Sequence, residues 1–227
     1  TARTVSAVAD WHDASRERWS LRISPYFTDV DDYVDAARCF STTPYGQACT
    51  AGNLTRTNGF VYLRFVNQSA RLYGVEVAGE TLLAKAESFG TFTAAATLAY
   101  TRGENRSTGD GLYNIMPLNA RLALVHRRGD WTGVLEAQGV AEKDRLSQVR
   151  NEVRTAGYGL VHLRASYVWQ RLRLDFGVEN LFDRFYAAPL GGAYVGQGKT
   201  MSGTDVPWGV PVPGPGRSVY AAATVTL

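Results

Sequence analysis

No apolar run in the 227-residue chain reaches the roughly 18 residues that a membrane-spanning helix needs. A transmembrane helix is therefore not expected. Thr1–Asp10 lacks a basic start followed by an apolar stretch, so no signal peptide is read there. Lysine is scarce, and nearly all of the 24 basic residues are arginine. With a net charge of only +3, there is no basic patch interleaved with aromatics, which argues against nucleic acid as a partner. Sulfur and imidazole are equally sparse: 2 cysteines, 2 methionines and 3 histidines. Neither H-x-x-H nor C-x-x-C occurs, and no G-x-S-x-G elbow is present. An enzyme is not expected. No repeat of fixed period and no low-complexity segment stands out.

What is abundant is alternation. In 172–179, Leu172, Leu174, Phe176 and Val178 fall on one side, and Arg173, Asp175 and Glu179 on the other. That is the period of a β-strand with one apolar and one polar face. The same period runs through Trp19, Leu21, Ile23, Pro25 and Phe27. It recurs through Phe92–Tyr100, Leu118–Leu124, Trp131–Ala137 and Val161–Trp169. About nine strands are predicted, near 2–11, 17–36, 57–84, 90–102, 118–127, 131–142, 156–169, 172–184 and 216–227. A bulge near Asn67–Ala70 is expected to shift the alternation of the third.

The connections predicted between strands alternate in length. Short ones fall near 12–16, 86–90, 127–130 and 169–171. Long ones fall near 37–58, 103–117, 143–155 and 187–216. Short turns at one end and long loops at the other are the pattern of an outer-membrane barrel, with the long loops extracellular. Hydrophobic content of 45% fits such a barrel, where alternation dilutes the apolar residues, and by itself also fits a soluble sandwich. Trp19, Phe27, Tyr100, Trp131, Tyr167, Trp169 and Tyr220 sit near strand ends, where interfacial girdles form.

Cys39 and Cys49 bracket a polar, turn-rich segment. One disulfide in an oxidising compartment is the expectation, with two free thiols as the alternative. Arg22, Arg121, Glu136, Arg164, Arg173, Asp175 and Glu179 are expected to face the barrel interior, as is His162. Asp29, Asp31 and Asp32 form an acidic group near an outer strand end. Solvation accounts for it, and a bridging cation is the alternative.

Several motifs resemble one family. GVENLFDRFY at 177–186 carries Gly177, Asn180, Leu181, Phe182, Asp183 and Tyr186 straight after an alternating strand. It resembles the penultimate strand of TonB-dependent outer-membrane receptors. YFTDVDDYVDA at 26–36, FVNQSARLYGVEV at 65–77, AYTRGEN at 99–105, MPLNARLAL at 116–124 and the closing PGRSVYAAATVTL follow in the family's order. The last loop, PLGGAYVGQGKTM at 189–201 and PWGVPVPGPGRS at 207–218, is similar to the copper-receptor branch. Its motif residues are Pro189, Gly191, Gly192, Tyr194, Gly196 and Gly198.

The resemblance implies an all-β, antiparallel transmembrane barrel of about 22 strands, of which residues 1–227 supply about nine near the C-terminal end. It implies the cell outer membrane of a Gram-negative cell, in contact with lipid and lipopolysaccharide, and insertion by the barrel-assembly machinery. The family's plug domain and TonB-contacting motif are not among these residues, so TonB–ExbB–ExbD would act only through a plug outside them. Leu227 stands where such barrels usually end in an aromatic. No intrinsic cofactor is implied. A copper ion is the implied cargo, and Met201 is the candidate soft ligand. A ferric-siderophore receptor, or a small stand-alone barrel acting as pore or adhesin, are the alternatives.

Overall fold

A computed structural model describes residues 1–39, 49–57, 59–195 and 208–226. Its strands in chain order are β1 (Ala2–Ser6), β2 (Ala9–His12), β3 (Trp19–Ala37), β4 (Arg64–Ala86), β5 (Gly90–Asn105), β6 (Asn119–Arg128), β7 (Trp131–Val140), β8 (Tyr158–Trp169), β9 (Leu172–Glu179), β10 (Ala193–Tyr194), β11 (Val210–Pro211) and β12 (Ser218–Val225). One antiparallel sheet runs in the order β1-β3-β4-β5-β6-β7-β8-β9-β12, with β2 also on β3. From β3 to β9 each strand pairs with the next in sequence, and β9 pairs with β12, which is the meander of an up-and-down barrel. The small β10/β11 pair lies inside the last loop.

The first predicted strand, 2–11, is broken in two. Ala7 N–H donates to Pro25 O at 3.2 Å. Proline has no N–H to return that bond, so the ladder lapses before resuming at Ala9↔Ile23. The expected bulge lies at the right height but on the other strand. Val30 pairs with Ala70 and Tyr33 with Gln68, so Asp31 and Asp32 in β3 oppose the single Ser69. Asp32 adopts φ 61°, a conformation that aspartate tolerates better than most residues. A second bulge places Leu83 between Leu82↔Thr93 and Ala84↔Phe92. The predicted 57–84 strand begins only at Arg64, and the predicted 172–184 strand ends at Glu179.

Register aligns the two faces across the sheet. Leu21↔Gly79↔Ala96↔Leu122↔Ala137↔Val161 forms one row. Ser20↔Glu80↔Ala95↔Ala123↔Glu136↔His162 forms the adjacent row on the opposite face. The apolar face is not covered by protein: Leu122 is 58% exposed, Leu135 46% and Phe176 46%. Among the described residues, the buried hydrophobics are only Ala36, Ala70, Leu112, Val140 and Leu160. Fully burying a leucine or phenylalanine is worth about 1.5–3 kcal/mol, so this face needs a surrounding that is not water. Among the described residues no helix is long and apolar enough to cross a membrane, and strands cross by a different rule.

Trp19, Phe27, Tyr100, Trp131, Tyr167 and Trp169 lie on the apolar face, as expected of girdles. Tyr220 does not. It pairs with Gly177 and therefore lies on the polar face. β1 and β2 pair only with β3, and β12 only with β9, so among the described residues the sheet has two open edges.

Candidate functional site: a knitted loop cap above a charged face

The short connections lie at one end of the strands and the long ones, 38–63, 106–118, 141–157 and 180–217, at the other. Each long loop contributes polar groups to one buried network. Segment 141–157 is its centre.

Arg38 reaches in from the end of β3. Its Nε donates to Val149 O at 2.8 Å, and Nη2 to Gln148 O at 2.7 Å and Asn151 Oδ1 at 2.5 Å. Nη1 donates to Leu54 O at 3.1 Å and Arg56 O at 2.8 Å. The planar five-donor fork of arginine suits such a junction. Burial pulls the guanidinium down from its ordinary value, and the Asp110 carboxylate opposes that. Asn53, in a short helix at Ala51–Thr55, holds Tyr62 by Tyr62 N–H→Oδ1 at 2.7 Å and Nδ2→Tyr62 O at 3.1 Å. This pairing replaces the ladder that the sequence led one to expect from residue 57.

Asp35 is 2% exposed. It accepts from Arg150 Nη1, and from Asn105 Nδ2 at 2.7 Å. The Asn105 amide also donates to Gln68 Oε1, and its carbonyl accepts from Ser107 N at 3.0 Å. Asp110 accepts from Gln148 N at 3.0 Å and Val149 N at 3.1 Å. Glu152 accepts from Lys143 Nζ at 2.6 Å, Asn114 N at 2.9 Å and Ser147 N at 2.8 Å. Lys143 also donates to Pro189 O at 3.1 Å, which ties in the last loop. Phe60 meets Trp208 edge-on at 4.4 Å, and Arg150 lies 5.3 Å over Tyr113. A cavity of about 150 Å³ remains between Tyr113, Arg150, Glu152, Leu190 and Trp208.

Beneath the cap lies the polar face. Arg164 donates to both Glu179 oxygens, at 2.8 and 3.1 Å, and its Nη2 reaches Glu136 at 3.5 Å. His162 Nδ1 touches Glu179 Oε2 and accepts from Asn180 N–H at 3.3 Å. Arg22 pairs with Asp10 at 3.0 Å, and Arg173 with Asp175 at 2.9 Å. The charges read as interior-facing in the sequence thus share one face, and most of them are paired.

The family motif builds the exit from β9. A Cβ on Gly177 would fall inside the Tyr220 ring, which lies across it. Asn180, with φ 51°, turns the chain. Its side chain accepts from Arg184 N at 2.8 Å and donates to Arg184 O at 2.9 Å and Pro215 O at 3.3 Å. Leu181 N–H extends the ladder by one bond, to Val161 O at 2.7 Å. Asp183, with φ 52°, accepts from Arg217 N at 2.8 Å. Phe182 is 74% exposed, and Tyr186 packs on Tyr158 at 4.6 Å. The sequence pattern ran these residues on as strand. They are a turn, closed locally by Asp183 N–H on Asn180 O at 2.9 Å and by the Asn180 side chain on Arg184, and tied to the segment before β12 through Pro215 and Arg217.

The last loop is a hairpin. Ala187 bridges to Pro213, Ala193 pairs with Pro211, and Tyr194 with Val210. Gly191 N–H closes on Ala188 O, and Gly192 takes φ 79°. Gly196, Gly198 and Met201 lie outside the described residues. Cys39 and Cys49 are joined by a disulfide, with Cα atoms 4.4 Å apart. Among the described residues, no group of three or more His, Cys, Asp or Glu is placed to hold a metal ion. The acidic group at the outer end of β3 is divided. Asp29 is paired to Arg71 at 3.3 Å and Arg106 at 3.4 Å, while Asp31 and Asp32 form the bulge.

An antiparallel sheet with a bare apolar face, a charged opposite face and its long loops gathered at one end is the wall of a transmembrane β-barrel. The chain belongs to the TonB dependent receptor-like, beta-barrel family, which it matches over residues 1–181. Heme/hemopexin utilization protein C of Haemophilus influenzae (strain 86-028NP) is 29% identical over 202 residues, covering 82% of this chain and 26% of that protein. A second Haemophilus influenzae protein of that name is 32% identical over 130 residues, covering 52% of this chain and 16% of that protein. The chain thus spans about a quarter of the length of the first of these relatives. Among solved structures, copper transporter OprC aligns over 99% of this chain and 32% of that one, with TM-score 0.76 and 23% identity. The unliganded ferric citrate transporter FecA aligns over 99% of this chain and 31% of that one, with TM-score 0.66 and 16% identity. These structural likenesses speak to the fold.

Proposed function

We propose that the chain forms part of the barrel wall of an outer-membrane TonB-dependent receptor that imports a metal-bearing cargo. The observation that carries this reading is the register of the sheet, which separates a bare apolar face from a paired, charged one. In a complete barrel of about 22 strands, further strands pair with the open edges at β1 and β12, since unpaired backbone in hydrocarbon costs several kcal/mol per group. The loop cap faces outward, away from the short turns. Arg164, Glu136 and Glu179 line the interior, where a plug would rest. TonB–ExbB–ExbD acts through that plug, and the barrel-assembly machinery inserts the wall.

Copper is the cargo this reading favours, on the resemblance of the 189–218 loop to the copper-receptor branch. Met201 is its proposed soft contact. Haem is the second reading, favoured by the names of the curated relatives. Histidine is a common protein ligand of haem iron. Here His162 sits against Glu179, while His12 and His126 lie at the short-turn end. None belongs to the loop cap. A ferric siderophore remains the third cargo.

The test is uptake by the complete receptor in a host lacking its own copper, haem and siderophore receptors. Copper accumulation that requires TonB and falls in Met201→Ala is expected. Growth on haem or a ferric siderophore without copper uptake would overturn the copper reading. Uptake that is independent of TonB would overturn the receptor reading itself.

A further inference from the structure

One nitrogen on the polar face of β8 stands between two partners that it cannot serve together. His162 is 7% exposed, and its Nδ1 lies against Glu179 Oε2 while accepting from Asn180 N–H at 3.3 Å. A bare Nδ1 accepts from an N–H and has no proton to give a carboxylate. A protonated Nδ1 donates to the carboxylate and has no lone pair left for the N–H. A neutral ring can keep its proton on Nε2 and leave Nδ1 bare. An imidazolium carries a proton on both nitrogens, so only the neutral ring can hold Asn180.

The charges around the ring leave room for one more positive charge. Glu136 faces His162 from β7, its register partner. Glu179 faces it from β9, and Arg164 stands two residues along the same strand. Both carboxylates share that one guanidinium, Glu136 at 3.5 Å and Glu179 at 2.8 Å. Arg121, on β6, lies opposite Gln138 and not opposite Glu136. Asp175, further down β9, is held by Arg173 at 2.9 Å, and Tyr158 is packed on Tyr186. β12 brings Ser218 opposite Glu179, Tyr220 opposite Gly177 and no charge. With a neutral ring, Glu136, Glu179 and Arg164 keep one negative charge in excess. An imidazolium cancels it.

Asn180 carries the effect beyond the strand. It follows the last residue of β9 with φ 51°, and its side chain binds Arg184 N–H at 2.8 Å, Arg184 O at 2.9 Å and Pro215 O at 3.3 Å. Both limbs of the last loop are therefore tied at this residue. Above it, Gly214 N–H donates to Tyr186 O at 2.8 Å, and Ala187 bridges to Pro213. Pro189 O then accepts from Lys143 Nζ at 3.1 Å, at the centre of the cap.

We propose that His162 is a proton-operated catch at the base of the last loop. With Nδ1 bare it holds the Asn180 N–H, and the turn stays closed. Protonated, it bonds to Glu179, gives up that N–H, and the base of the loop loosens.

The experiment is electron paramagnetic resonance of the complete receptor in lipid vesicles. One sample carries a nitroxide at Leu190→Cys in the last loop, and a second carries it at Glu87→Cys in a short turn. Between about pH 8 and about pH 5, where histidine takes up its proton, the mobile-to-immobile ratio at position 190 is expected to rise about 2- to 10-fold, the worth of one net hydrogen bond. The label at position 87 is expected not to respond. His162→Gln, in the Leu190→Cys background, is expected to abolish the response. Heat-modifiable migration shows whether that variant has folded. If it has not, Glu179→Gln keeps the ring and removes its second partner, and the response is expected to shrink. Equal ratios at the two pH values in the unaltered receptor would overturn the proposal. So would a full response in His162→Gln or in Glu179→Gln. An equal rise at positions 87 and 190 would overturn it too, because it marks a general loosening in acid.

Discussion

Lys143 Nζ sits 2.6 Å from Glu152 Oε1, and the two side chains are 2% and 7% exposed. The pair lies at the centre of the loop cap, and the same two groups also hold Asn114, Ser147 and Pro189. Removing one partner leaves a buried charge without compensation, at a cost of about 3–5 kcal/mol. Lys143→Met is therefore expected to loosen the cap while leaving the sheet intact. Limited proteolysis of the complete receptor should show new cuts within 106–118 and 141–157. Heat-modifiable migration, which reports the barrel, should not change. Lys143→Met/Glu152→Met together should be less damaging than either alone.

Gly177 faces the Tyr220 ring with no room for a methyl group. Gly177→Ala is expected to destabilise the β9–β12 edge by about 1–3 kcal/mol, the usual range for overpacking. Tyr220→Ala in the same protein should recover part of that loss. Urea titration of the receptor in detergent, with and without the second change, measures both.

Much of the sheet was legible because a strand writes its facing into the chain every second residue. Leu172–Glu179 needed only that period to reveal which side was which. The break at Ala7–Val8 was also present, in Pro25, but it acts from the neighbouring strand and only through pairing. The loop cap was not legible. Arg150 and Asp35 are 115 residues apart in the chain, and Arg38 and Val149 are 111 apart. No local period marks such pairs. Isolated Asp, Asn and Arg residues in turn-rich loops look the same whether they are solvated or buried. The bulge was misplaced for a related reason. A slip between two strands shows in either alternation, and only the register says that Asp31 and Asp32 carry it.

At the short-turn end, Asp13 accepts from Ser15 Oγ at 2.6 Å, Arg18 N at 3.0 Å and Trp19 N at 3.1 Å. These bonds, with the Ser15 hydroxyl first, hold its carboxyl below the ordinary value of 3.8. A depressed carboxylate contributes its stability above the unfolded value, and that contribution is lost as pH falls through the folded one. The turn is therefore expected to keep its structure at pH 4 and to loosen only in stronger acid. The carbon-13 carboxyl shift of Asp13, followed through an acid titration, should move below pH 3.8. Asp13→Asn should abolish that transition.

The most direct measurement of the central claim is a scan of single nitroxide labels at residues 120–125 of the complete receptor in lipid vesicles. The native cysteines Cys39 and Cys49 are already joined, so among the described residues no free thiol competes for the label. Labels at Ala120, Leu122 and Leu124 should be reached by oxygen dissolved in lipid. Those at Arg121, Ala123 and Val125 should be reached from the aqueous interior by a water-soluble nickel complex. Accessibility that does not alternate between these two sets would contradict a barrel wall in the membrane.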